Sequence, residues 1–219
     1  MGHNSTNNLR KRVLDIARRM IEEGLVQATW GNVSCRLPGE PFMIITPSGL
    51  DYLRLEIDDL VITDWEGNLV EGRWKPSTES RMHGLVYEFR TEVGGIVHTH
   101  SRCATAFAVA KQRIPVVTEE MAQVVGGSVE VGPYTVCGTQ ELANTAVMAL
   151  GDRNAALLAN HGLLAVGKNL DEALRVALVV ERSAQIAYMA KVIGSCNEID
   201  KDKVDKLYLS FMNDYGQKR

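Results

Sequence analysis

Two pairs of short apolar runs in this chain are joined by connections that leave room only for a hairpin. Ala155–Ala159 and Leu163–Val166 are separated by Asn160-His161-Gly162 alone, and Leu60–Thr63 and Leu69–Val70 flank the turn signal Glu66-Gly67-Asn68. A parallel strand pair needs a crossover of about a dozen residues or more, whereas an antiparallel pair needs only a tight turn. A purely parallel, doubly wound sheet is therefore excluded.

Further strands are expected at Val33–Leu37, Phe42–Thr46 and Ile96–His100, with Pro47-Ser48-Gly49 as a turn. Helical spacing intervenes. Leu9, Val13, Ile16, Ala17, Met20 and Ile21 recur on one face until Gly24. Pro76-Ser77-Thr78-Glu79 opens a helix with hydroxyls at capping positions, backed by a stripe of Met82, Leu85, Val86 and Phe89. Ala104–Ala110, Glu141–Leu150 (capped by Thr139), Leu170–Ile193 (capped by Asn169) and Val204–Met212 complete the helices. The expected architecture is one α/β domain over residues 9–219, preceded by a frayed arm at 1–8.

The 219 residues, 45% of them hydrophobic, suffice to bury one sizeable core. A net charge of -3 offers no electrostatic case for nucleic acid or an anionic membrane. No apolar run reaches membrane-spanning length, and the polar opening MGHNSTNNLRKR lacks a signal-peptide core, so a cytoplasmic location is expected. Cys35, Cys103, Cys137 and Cys196 are scattered without a CxxC and are expected to be buried free thiols. GxGxxG and GxxxxGK[ST] are both absent.

Two of the five histidines stand one residue apart in "GGIVHTHS". On a strand, His98 and His100 project from the same face, roughly 6–7 Å apart at Cα. His161 lies in the turn of "LLANHGLL", where a rigid scaffold can present it. Three histidines make up the donor set of catalytic zinc, which leaves coordination open for substrate. Glu79, in the first turn of its helix, is a candidate fourth ligand or a base. His83 reads as a half-exposed helix residue. Ser77 and Thr78 form a natural anion cradle at the helix start. The glycine-bearing turns Trp30-Gly31-Asn32-Val33-Ser34 and Thr46-Pro47-Ser48-Gly49 can either hold a phosphate or simply turn the chain.

Taken in order, "GNVS" (31–34), "ITPSG" (45–49), "KPSTE" (75–79), "VHTHS" (97–101), "GPYTVCGTQEL" (132–142) and "LLANHGL" (157–163) resemble the class II aldolase/adducin family. The likeness is greatest to its L-fuculose-1-phosphate aldolase-like members and spans about residues 9–215. It implies a three-layer α/β/α sandwich around a mainly antiparallel sheet. It places Glu79, His98, His100 and His161 at zinc-ligand positions, one ion per subunit, with Mn2+, Co2+ or Fe2+ as chemically acceptable substitutes. It assigns Gly31, Asn32, Ser48, Gly49, Ser77 and Thr78 to a substrate phosphate. It also implies a homotetramer with active sites at subunit boundaries, where Tyr215 matches a site-completing tyrosine.

The chain departs from the aldolase pattern in one important segment. After Ile114-Pro115 the aldolases carry a catalytic tyrosine, whereas this chain reads "VVTEEMAQVVGG", with Glu119 and Glu120. Cys137 stands where an aromatic is expected after "GPYT". A carboxylate in that segment resembles the family's methylthioribulose-1-phosphate dehydratases, and epimerases and a decarboxylase also occur in the superfamily. The resemblance thus implies a metal-dependent aldolase cleaving a ketose 1-phosphate, with dehydratase, epimerase or decarboxylase chemistry as alternatives. Adducin-like heads, which are non-catalytic interaction modules, share the fold.

Overall fold

The hairpins expected from short connections organise the sheet. In the computed structural model, which describes residues 3–214, strands β1 (Asn32–Arg36), β2 (Phe42–Ile45), β3 (Val61–Asp64), β4 (Leu69–Glu71), β5 (Gly95–Thr99), β6 (Val131–Gly132), β7 (Ala155–Leu158) and β8 (Gly162–Gly167) form one eight-stranded sheet. Their order is β4-β3-β2-β1-β5-β8-β7-β6. β3 pairs with β4 and β7 with β8 in antiparallel fashion, and among the described residues only the β6–β7 pair is parallel.

Helices cover both faces. On one side α1 (His3–Glu22), α3 (Arg102–Val109) and α6 (Leu170–Ile193) lie on the central strands, with α4 (Glu119–Val125) packed on α6 and α7 (Lys201–Asp214) on α4. On the other lie α2 (Ser80–Phe89) and α5 (Gln140–Leu150). The result is a three-layer α/β/α sandwich with two cores. Residues alternate between them as a period of two requires: Leu157, Leu163 and Ala165 enter one core, and Ala156, Leu158 and Leu164 the other. That double burial explains why these strands read as unbroken apolar runs. The edge strand β4 is exposed throughout.

Thr139 and Asn169 cap α5 and α6 by accepting the amide protons of Leu142 and Glu172, as their positions imply. Other expectations need correction. α1 begins at His3, inside the segment expected to fray, because a helix nucleated by its buried Val13, Ile16 and Met20 extends at little cost. α2 begins only at Ser80, and its N-cap residue Glu79 makes no side-chain cap. Phe89 is exposed rather than part of the stripe; the buried face is Met82, His83, Val86 and Tyr87. α4 and β6 are additions to the expected elements; Thr118 caps α4 through the Met121 amide and Gly126 ends it in the left-handed region. Only Cys35 is buried; Cys103 and Cys196 are half-buried, and Cys137 is exposed. No helix among the described residues is long and apolar enough to cross a membrane.

Candidate metal centre

β5 lies at the middle of the sheet between β1 and β8, so side chains at its C-terminal end are walled in on both sides. His98 pairs in register with Asn32 of β1 and Leu164 of β8. His100 follows immediately after the strand. His161 reaches the same place from the β7–β8 hairpin, where Asn160 adopts a φ of 56°, a left-handed conformation that asparagine tolerates. The three imidazoles form a nearly equilateral group, with ring centroids 5.0, 4.8 and 4.9 Å apart. Glu79 enters from the N-terminal end of α2 and is itself buried.

Hydrogen bonds from outside the cluster orient His98 and Glu79. His98 Nδ1 lies 2.9 Å from the Leu163 carbonyl oxygen. A carbonyl only accepts, so Nδ1 carries the proton and the Nε2 lone pair faces the site. Glu79 Oε2 accepts from Asn32 Nδ2 at 2.7 Å and lies 3.2 Å from His98 Nε2, while Oε1 lies 3.1 Å from His161 Nε2. His98 and His100 bring their Nε2 atoms to 3.1 Å. Burial drives the His98 pKa down to about 3 against the pull of Glu79, which keeps this ring neutral. His100 is shifted the same way, by burial and by His161. Burial raises the Glu79 carboxyl pKa, but His98, His161 and Asn32 together hold it well below the usual carboxylate range. The site thus sets an ionised carboxylate beside imidazoles, of which His98 and His100 are pushed towards the neutral form.

These residues fit a divalent cation. A bare lone pair on His98 Nε2 faces a bare carboxylate oxygen, two acceptors with no proton between them. A positive ion relieves that repulsion. Donors sharing an ion at about 2.0–2.3 Å stand roughly 3–4 Å apart, matching the 3.1–3.2 Å separations seen here. His98, His100 and His161 bring their ligand atoms within 4.8 Å of one another, and so do Glu79, Cys137 and His161.

The phosphate candidates gather nearby. Gly31 has a φ of 95°, and a Cβ there would lie 2.7 Å from the His98 carbonyl oxygen. Asn32 bonds Glu79, a role that residue order does not reveal. The 46–48 and 75–77 loops are stitched by the Ser48 amide donating to Lys75 O and the Ser77 amide to Thr46 O. Those amides are engaged, so these positions present hydroxyls instead. Ser77 Oγ accepts the Glu79 amide at 3.2 Å, Ser48 and Gly49 are exposed, and Thr78 Oγ1 lies 3.8 Å from Cys137 Sγ.

Further residues depart from expectation. Glu119 and Glu120 stand exposed in the first turn of α4; among the described residues they make no hydrogen bond or ion pair with any of the four central side chains. Tyr215 lies outside the described residues. His83, expected to be half-exposed, is fully buried: its Nδ1 bonds Ser34 Oγ at 2.7 Å, which in turn meets Tyr87 Oη at 2.8 Å. Burial lowers the His83 pKa to about 4. Helical spacing carries no sign of this contact. It arises because α2 turns the His83 and Tyr87 face inward, onto Ser34 of β1.

Comparison with known proteins identifies the family and the fold. Residues 11–188 match the family model for the Class II Aldolase and Adducin N-terminal domain. The chain is 37% identical to a 5-deoxy-D-ribulose 1-phosphate aldolase of Bacillus thuringiensis serovar kurstaki, covering 95% of this chain and 97% of that one. It is 34% identical to the L-fuculose phosphate aldolase of Escherichia coli, covering 96% of each. A less similar relative, the L-ribulose-5-phosphate 4-epimerase of Salmonella paratyphi B, is 33% identical over 95% of each chain. A solved L-fuculose 1-phosphate aldolase superposes with a TM-score of 0.90 at 34% identity, covering 94% of this chain and 96% of that one. The chain belongs to the class II aldolase and adducin family.

Proposed function

We propose that this protein is a zinc-dependent aldolase that cleaves a ketose 1-phosphate of the deoxyribulose or fuculose type into dihydroxyacetone phosphate and an aldehyde. The observation that carries the reading is the Glu79 carboxylate, buried beside three convergent imidazoles. Likeness to two aldolases over nearly the whole chain supports it. His98, His100, His161 and Glu79 would hold a divalent cation, which would supply Lewis-acid stabilisation of the negative charge that develops as C3–C4 breaks.

The chain's own residues do the rest. Ser48, Gly49, Ser77, Thr78, Gly31 and Asn32 hold the phosphate and convert binding into orientation. A base takes the proton of the C4 hydroxyl, and the electron pair of the C3–C4 bond passes to C3. Glu79, ionised at rest, takes up that proton from the base by way of solvent and delivers it to C3, which completes dihydroxyacetone phosphate and returns both groups to their starting state. The base is Glu119, Glu120 or Tyr215. The exposed position of the two glutamates suits donation into a neighbouring copy's site, in a homotetramer with sites at subunit boundaries.

The test is incubation of zinc-loaded protein with 5-deoxyribulose 1-phosphate and with fuculose 1-phosphate, measuring dihydroxyacetone phosphate. Formation of only a dehydrated diketone, or only a 4-epimer, overturns the aldolase reading. Light scattering should give four times the mass of the 24.1 kDa chain.

A further inference from the structure

The loop between β6 and α5 brings a thiol to the edge of the metal centre. Gly138, with a φ of 78°, lets this loop close on the segment leading into α2, and a Cβ there would lie 3.1 Å from the Thr78 carbonyl oxygen. The approach leaves Cys137 Sγ 3.5 Å from Glu79 Oε1 and 3.8 Å from Thr78 Oγ1. Sγ, a Glu79 carboxylate oxygen and a His161 ring nitrogen all lie within 4.8 Å of one another. Two donor triads therefore share His161, one made of imidazoles and the other of a carboxylate, a thiol and an imidazole. The second is more open: Cys137 is exposed, whereas His98 is completely buried.

We propose that Cys137 Sγ is a further donor to the ion of this centre, occupying the substrate side until a substrate oxygen displaces it. The inference rests on the metal-dependent reading above and adds a ligand to it. On ligation the thiol releases its proton to solvent and binds as thiolate, with no change of oxidation state. A thiolate is a soft donor, so it raises affinity for zinc and cobalt over manganese and magnesium, which prefer oxygen. The 3.5 Å separation of Sγ from Glu79 Oε1 matches that of two donors sharing one ion, as the nitrogen and oxygen donors do at 3.1–3.2 Å. Exchange with substrate follows from the loop's exposure, because Cys137 can withdraw without disturbing either core.

The test is cobalt substitution of the full chain and of Cys137→Ser, read by absorption. The side chain is exposed, so the serine variant should retain the wild-type circular dichroism spectrum, which is checked first. Cobalt-loaded wild type should show a near-ultraviolet thiolate-to-cobalt charge-transfer band in addition to visible ligand-field bands. The serine variant should keep the visible bands and lose the charge-transfer band. A saturating ketose 1-phosphate should diminish the band in wild type. Chelator competition should show zinc affinity falling about tenfold in Cys137→Ser with manganese affinity little changed. Visible bands without the charge-transfer band in wild type would overturn the thiol ligand while leaving the histidine centre standing. A chain that binds no cobalt at all overturns both.

Discussion

Glu79 is the residue on which structure and chemistry converge. Its two oxygens lie against Asn32, His98, His161 and Cys137, so replacing one oxygen by an amide keeps the shape while removing the charge and the proton-carrying capacity. Glu79→Gln should retain an ion on three imidazoles, measurable by metal analysis, while turnover falls about 10²–10⁴-fold. Loss of metal and activity together would instead make Glu79 chiefly a ligand. His161→Ala should behave differently. It removes the imidazole shared by both donor triads, so metal content itself should drop, with the fold intact because His161 sits in the turn before β8 rather than in either core.

Elements carry these residues, and one anchor outside the site matters for them. Asp59, at the end of a short 3-10 turn, accepts the Glu56 amide at 2.9 Å, Arg73 Nη2 at 2.5 Å and Trp74 Nε1 at 2.7 Å. It thereby ties down the segment that leads into Ser77-Thr78-Glu79. Arg73 and these amide and indole donors hold the Asp59 carboxyl down at about 2. A pKa depressed in the folded state contributes stability above the unfolded value, near 4, that is lost as pH falls through about 2. Arg73 is largely exposed, and screening reduces the effect to about 1–2 kcal/mol. Unfolding free energies from urea titration should be lower for Asp59→Asn by that amount at pH 7 and converge with wild type near pH 2. A constant difference across that range would count against the ionic origin.

At the scale of the whole molecule, the centre joins β1, β5, the β7–β8 hairpin and the start of α2, so an ion bound there links segments from both halves of the chain. A ligand at a hundredfold excess over its Kd adds about 2.7 kcal/mol to the folded state. For a chain of this length that is worth about 5–10 °C in Tm. Thermal melts with zinc and with a chelator should differ by that margin, and an unchanged melt would mean that no ion bridges these elements.

Much of this architecture is legible in residue order. Short connections dictate antiparallel pairing, and helical spacing with Thr139 and Asn169 caps locates α5 and α6. His98 and His100 share a face through strand periodicity alone. Local rules reach no further than neighbours along the chain. That Asn32 bonds Glu79, that His83 is sealed against Ser34 and Tyr87, and that Cys137 lies beside a carboxylate all depend on segments 47 to 58 residues apart meeting across layers. The α4 helix is not legible because its seven residues are too few to display a period. Residue order determined the elements and the donor types, since these follow from backbone geometry and side-chain chemistry; tertiary packing alone decided which donors meet, because convergence requires the sheet to bring its central strands and α2 to one point.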